Sequence, residues 1–240
     1  MSTGGKRRVA IVTGSRAEFS LLTPVIRAVR AHPGLEPVVV VAGSHLVPPA
    51  LTVRDVAALF EVSAEIPMQD AAHTGRLADA RALGRGVEGM AAAVERLQPD
   101  WVVVLGDRIE ALAAALGASI GGVATAHIHG GDLAEGVADD SMRHAITKVA
   151  HVHLPATRQS ADRIVRMGED AWRVHVVGSP AIDTVRDVTP MADDAFDALG
   201  RPDTILLLHP VGMPEEFERA SAMACIEALR GRRVLWMAPN

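Results

Sequence analysis

The chain has 240 residues, 49% hydrophobic and 22% charged, a balance that fits a folded globular protein and excludes a disordered or low-complexity one. Its formal charge of −5 excludes a generally cationic binder of nucleic acid or membrane surfaces, while leaving room for a local basic pocket. With three Trp, four Phe and no Tyr, a base-stacking platform is a poor fit, and the single cysteine, Cys225, allows neither an internal disulfide nor a cysteine zinc cage, in keeping with a reducing cytoplasm.

In chain order, Lys6-Arg7-Arg8 precedes an apolar run of only five residues, 9–13, that breaks at Gly14. A signal peptide needs a longer apolar core, so the run reads as a first strand. No window approaches the ~20 apolar residues of a membrane-spanning helix, and a soluble protein is expected. Short β-branched runs then alternate with segments of helical periodicity. Strands are expected over 9–13, 37–42, 101–105, 123–128, 151–155 and 174–177, and helices over 19–31, 76–97, 109–118, 141–150 and 159–167. The strands are apolar on both faces, as when helices cover a parallel sheet on both sides. This alternation predicts an α/β fold with a doubly wound, Rossmann-like parallel sheet.

Pro190, Asp193-Asp194, Gly200 and Pro202 mark a seam. Residues 1–187 read as an N-terminal Rossmann-like domain, 188–202 as a linker region and 203–240 as the start of an incomplete second Rossmann-like domain. In that last part a strand over 204–209, a helix over 215–229 and a strand over 233–237 bury too little apolar area to stand alone. They either pack on the first sheet or belong to a domain of which the rest lies elsewhere.

Ligands of a parallel sheet bind beyond the carboxyl ends of its strands, which directs attention to four loops. Gly14-Ser15-Arg16-Ala17-Glu18-Phe19-Ser20 joins the first strand to its helix, where free backbone N–H groups and Arg16 suit an anion. It is neither the dinucleotide fingerprint nor a Walker loop, and a capped helix bearing a surface arginine is the plain alternative. In Leu105-Gly106-Asp107-Arg108-Ile109-Glu110, Asp107 is either a helix N-cap or a general acid or base. The stretch from His127 to His144 gathers three histidines, four carboxylates (Asp132, Glu135, Asp139, Asp140) and Arg143 around Gly130-Gly131, a mixture a solvated loop rarely needs. Burial of Asp139-Asp140 would push their pKa values apart, which suits acid–base work. His209, before Pro210, is the fourth candidate and is either structural or part of a cleft. A metal reading of His127-x-His129 with Asp132 requires the strand to continue through both histidines, and the glycines that follow argue against it.

These loops closely resemble the hydrolysing UDP-N-acetylglucosamine 2-epimerases of sialic-acid and related nonulosonic-acid biosynthesis. The resemblance rests on Val12-Thr13-Gly14-Ser15-Arg16-Ala17-Glu18, Leu105-Gly106-Asp107-Arg108, His127-Ile128-His129-Gly130-Gly131-Asp132, the run from Asp139 to Lys148, Gly178-Ser179-Pro180 and His209-Pro210-Val211. It implies the glycosyltransferase-B-type architecture of two facing doubly wound domains, of which this sequence matches roughly the first two-thirds. It also implies an elimination that expels UDP to leave 2-acetamidoglucal, then hydration to free N-acetylmannosamine, with no metal or organic cofactor. Asp107, His129, Asp139 and His209 correspond to the family's catalytic positions. Where some members carry glutamate this chain has His129, and Asp132 or Glu135 is expected to supply the neighbouring carboxylate. Contacts to the uridine diphosphate map to Arg16, Ala17, Ser20, Arg108, His209 and Asn240, with Arg143 in the same substrate-binding set. The expected partners are a UDP-sugar substrate and a second copy in a homodimer, or a separate chain supplying the second domain. Neither nucleic acid nor membrane is expected. The competing reading is an inactive nucleotide-sugar-binding remnant or one half of a split epimerase.

Overall fold

The structure, a computed structural model, describes residues 5–133, 138–185, 188–209 and 213–238, with backbone alone at 138 and 139. It divides into two compact units, residues 1–186 and 187–240. In the first, β1 (Arg7–Thr13) leads into α1 (Arg16–Ala31), β2 (Leu35–Ala42), the short α2 (Val53–Ala57) and β3 (Val62–Ile66). The long α3 (Arg76–Leu97) returns to β4 (Trp101–Leu105), followed by α4 (Ile109–Ile120), β5 (Ala124–Ile128), α5 (Ala138–Val149), β6 (Val152–Leu154), α6 (Arg158–Arg166) and α7 (Ala181–Val185). All six strands run parallel in the order β3-β2-β1-β4-β5-β6. This is the doubly wound sheet expected from the alternation of strands and helices.

The side-chain alternation of the strands builds two cores, one on each face. Ala10, Val12, Val38, Val40, Val102 and Val104 pack under α3, α4 and α5, where Met90, Ala114 and Ile146 close the layer. Val9, Ile11, Val39, Val41, Val103 and Leu105 face the other way, onto Phe19, Leu22 and Ile26 of α1. The 3- and 4-residue spacing of those three side chains is why 16–31 winds as a helix against the sheet. Ser15 caps it, its hydroxyl accepting from the Glu18 N–H at 3.4 Å.

Two expectations are corrected. Residues 174–177 form no strand: the chain runs beside β6 with a single bridge, His153 to Val174, and the ladder ends because Pro155 has no N–H to give. Conversely, β3 is an edge strand that the sequence reading missed. Its Val-Ser-Ala-Glu-Ile is short and half polar, as suits an element paired on one side only.

The second unit comprises α8 (Asp193–Ala198), which falls in the stretch read as linker, then β7 (Thr204–Leu207), α9 (Glu215–Ala228) and β8 (Val234–Met237), the two strands pairing in parallel. Ile205, Leu207, Phe217, Met223 and Trp236 are exposed on it. Among the described residues no helix is long and apolar enough to cross a membrane.

Candidate active site

The strand order reverses between β1 and β4, since β1 connects outward through α1 to β2 while β4 connects through α4 to β5 on the other side. Beyond the carboxyl ends of such neighbouring strands a crevice opens for a ligand. The loops after β1, β4 and β5 supply its side chains.

The structure does not make Asp107 the N-cap of α4. The N-cap position of α4 is Arg108, without a side-chain capping bond, and the Asp107 carboxylate instead pairs with the Arg143 guanidinium of α5. Arg143 is buried, with a second donor, Nη1, on the His129 carbonyl at 3.1 Å. One arginine thus joins the tips of β4 and β5 from the helix that follows them.

His129 has left the strand: its φ is +62°, a left-handed conformation that turns the chain sharply after β5. Its Nδ1 lies 3.7 Å from Asp132 Oδ2, while Asp132 Oδ1 accepts from the Ser160 hydroxyl of α6. Asp132 thus stands beside the His129 ring, held there by Ser160. Burial lowers the His129 pKa, and the Arg143 charge adds to that against the opposing pull of Asp132 and Asp107, so the imidazole is neutral at pH 7. Its Nε2 is buried without a hydrogen-bond partner among the described residues.

His127, two residues earlier, is fully buried, with Nε2 2.8 Å from the Gly106 carbonyl and Nδ1 3.2 Å from the Thr147 hydroxyl. Burial pushes its pKa down to about 3. Both ring nitrogens are engaged by the protein and His129 sits on a different backbone course, so the two do not make a paired ligand set. Among the described residues no group of three His, Cys, Asp or Glu side chains is placed to hold a metal.

At the tip of β1, Arg16, Ala17 and Ser20 are exposed on the first turn of α1. Beneath them lie two buried carboxylates that the sequence reading did not select, Glu18 and Glu110. Glu18 Oε2 accepts from the Gly14 N–H at 2.7 Å. Glu110, in the first turn of α4, threads between Gly14 and Gly43, where an added Cβ would lie 2.4 Å from its Cβ and 2.3 Å from its Cγ, respectively. It accepts from Gln69 Nε2 at 2.8 Å and from the Ser44 N–H at 3.4 Å, and its Oε2 is 3.4 Å from Arg108 Nε. A single carboxylate thus ties the segments after β1, β2, β3 and β4 and holds Arg108. Burial, reinforced by the Glu110 charge, raises the Glu18 pKa from 4.5 to about 7, although the Gly14 N–H and Arg108 pull the other way. The available signals were Ser15-x-x-Glu18, a capping-box spacing, and the glycines facing Glu110. Here Glu18 reaches back one residue beyond the usual capping-box N–H.

Asp107, Arg108, His129, Asp132 and Arg143 thus meet around the tips of β4 and β5, next to the β1 turn that carries Arg16. The side chain of Asp139, together with Glu135 and Asn240, lies outside the described residues. His209 belongs to the second unit, exposed two residues after β7, which is shorter than the strand expected there.

A family profile described as UDP-N-acetylglucosamine 2-epimerase matches residues 27–240. The chain belongs to that family. It is 30% identical, over 98% of its length, to a UDP-N-acetylglucosamine 2-epimerase of Neisseria meningitidis and 31% identical, over the same share, to the hydrolysing UDP-N,N'-diacetylbacillosamine 2-epimerase of Legionella pneumophila. It spans 63% and 64% of those two proteins. Among solved structures, a putative UDP-N-acetylglucosamine 2-epimerase from Listeria monocytogenes superposes with a TM-score of 0.80 at 20% identity, over 98% of this chain and 63% of that one. The Neisseria meningitidis enzyme bound to UDP-N-acetylglucosamine gives 0.78 at 16% identity, over 97% and 65%. These structural likenesses establish the glycosyltransferase-B-type α/β fold.

Proposed function

We propose that this chain carries the acid–base half of a hydrolysing UDP-N-acetylglucosamine 2-epimerase site. In this reading a carboxylate, Asp107 or Asp139, removes the proton from sugar C2. The electron pair forms the C1–C2 double bond as the C1–O bond to UDP breaks, leaving 2-acetamidoglucal. Water then adds its oxygen to C1 while C2 is reprotonated on the opposite face, so the product is free N-acetylmannosamine. His129, neutral and beside Asp132, is suited to move a proton near neutral pH. Arg16, with the N–H groups that open α1, and His209 neutralise the departing diphosphate, with Ala17, Ser20, Arg108, Arg143 and Asn240 completing the substrate contacts. The chemistry needs neither metal nor organic cofactor. The observation that carries the reading is the Asp107–Arg143 pair, which sets a carboxylate at the β4 tip against the β5 loop. The hydrolysing outcome is supported by the likeness to the Legionella pneumophila relative, a hydrolysing UDP-N,N'-diacetylbacillosamine 2-epimerase. We place the protein in the cytoplasm, acting on UDP-sugars as a homodimer or with a separate chain that supplies further second-domain residues.

The test is incubation with UDP-N-acetylglucosamine, following UDP and N-acetylmannosamine by NMR. Product that disappears in Asp107→Asn and Asp139→Asn supports the assignment. UDP binding without turnover favours the alternative, a nucleotide-sugar-binding remnant or half of a split enzyme, and absence of both binding and turnover refutes the proposal.

A further inference from the structure

His127 belongs to the motif that first suggested a metal ligand, yet both of its nitrogens face protein atoms and the reaction scheme gives it no step. Its two contacts lead to the two sides of the Asp107–Arg143 pair. Nε2 meets the carbonyl of Gly106, the residue immediately before Asp107. A carbonyl oxygen only accepts, so Nε2 carries the proton and Nδ1 is left as an acceptor. Nδ1 meets the Thr147 hydroxyl on α5, one turn after Arg143, and the single proton of that hydroxyl is shared between Nδ1 and the Arg143 carbonyl at 3.1 Å. The ring therefore spans from the β4 turn to the helix that carries Arg143. The chain passes close beside this contact: a Cβ on Gly130 would lie 2.9 Å from His127 Nδ1 and 3.1 Å from Thr147 Oγ1, so glycine is needed there. The charged or titratable groups that bear on the ring are His153, Arg143 and His129.

We infer that His127 is a positioning residue, a rigid spacer whose Nε2–H and Nδ1 set the Gly106 turn and α5 at the separation that lets Asp107 and Arg143 pair. A positive charge on this ring would put an N–H where Nδ1 must accept, and burial of the ring opposes that charge. The inference rests on Asp107 and Arg143 being site residues, but its test needs no turnover. A chain that binds no nucleotide sugar would therefore refute the proposed function without touching the spacer, and the converse also holds.

The experiment uses the full chain, 15N-labelled, with the Arg143 guanidinium signals assigned through Arg143→Lys. The wild-type His127 ring is expected to hold its proton on Nε2 and to stay neutral from about pH 5 to 8. A proton on Nδ1, or a ring that charges at about pH 6, overturns the inference. His127→Gln keeps a donor where Nε2 was, whereas the shorter His127→Asn reaches towards Thr147 but not the Gly106 carbonyl. The expected result is Arg143 hydrogen exchange accelerated less in the glutamine variant, which keeps the Gly106 contact, than in the asparagine variant, where it is faster by about tenfold, roughly what loss of one buried hydrogen bond permits. Equal exchange in the two variants overturns the inference. Should either variant fail to fold, Thr147→Val, which removes only the hydroxyl, is expected to speed Arg143 exchange while leaving the Nε2 proton in place, and no change there also overturns it.

Discussion

Glu18 offers the sharpest quantitative test of the site's electrostatics. Its carboxyl is buried below the α1 turn with Glu110 nearby, and its pKa rises from 4.5 to about 7, with burial the larger cause and the Glu110 charge the second. Between these two values the folded chain holds a proton that the unfolded chain has released. Stability from this group is therefore complete below about pH 4.5 and is lost as pH rises to about 7. A displacement of that size corresponds to about 3 kcal/mol. Glu18→Gln keeps an oxygen to accept from the Gly14 N–H and cannot ionise, so it should remove the pH dependence without emptying the site. Urea unfolding of both proteins from about pH 4.5 to 8 isolates the contribution, because every other titrating group cancels in the difference. The wild type should lose about 3 kcal/mol relative to the variant across that range. Parallel stability profiles would refute the reasoning and mean that Glu18 is ionised throughout, held by Arg108 and the Gly14 N–H.

Two further substitutions probe the frame around the site. Gly14→Ala drives a Cβ to 2.4 Å from Glu110 Cβ, and chemical denaturation should show a loss of about 1–3 kcal/mol, the ordinary cost of overpacking. Glu169 sits between Lys148, Arg173 at 2.9 Å and His153 at 3.2 Å, clamping α5 to the segment after α6. Glu169→Gln leaves those donors around a neutral amide and should cost about 2 kcal/mol in the same measurement, below the usual figure for a buried pair because Lys148 is half exposed.

Much of this architecture is written in the pattern of apolar residues. The runs at β1, β2 and β4 are largely apolar on both faces, as a covered parallel sheet accommodates, and the order of strands and helices then places their tips together. Arg16, Asp107 and His129 are legible for that reason, as polar residues just beyond strand ends, whereas Arg143 lies within α5 and stands out only through the mixture of charges around it. Burial is harder to read. Glu18 and Glu110 each stand in a helical first turn, where acidic residues are ordinarily solvated and favoured by the helix dipole, and the Ser15-x-x-Glu18 capping spacing marks a helix start without marking burial. The burial of Glu110 follows from the small cross-section of Gly14 and Gly43, which come after β1 and β2 and are widely separated from it in sequence. The role of His127 is hidden for the same reason, since Thr147 and the Gly106 carbonyl reach it only through the sheet register that sets β5 beside β4. At 174–177 the misreading ran the other way: β-branched composition suggested a strand, but Pro155 withholds the donor that would extend the ladder.

If the tips of β1, β4 and β5 form one nucleotide-sugar site, titrating the 15N-labelled chain with UDP-N-acetylglucosamine should give saturable chemical-shift changes gathered at residues 14–20, 106–110 and 129–143, diminished together by Asp107→Asn and Arg143→Lys. Shifts confined to other surfaces, or no saturable response at any of the three loops, would contradict it.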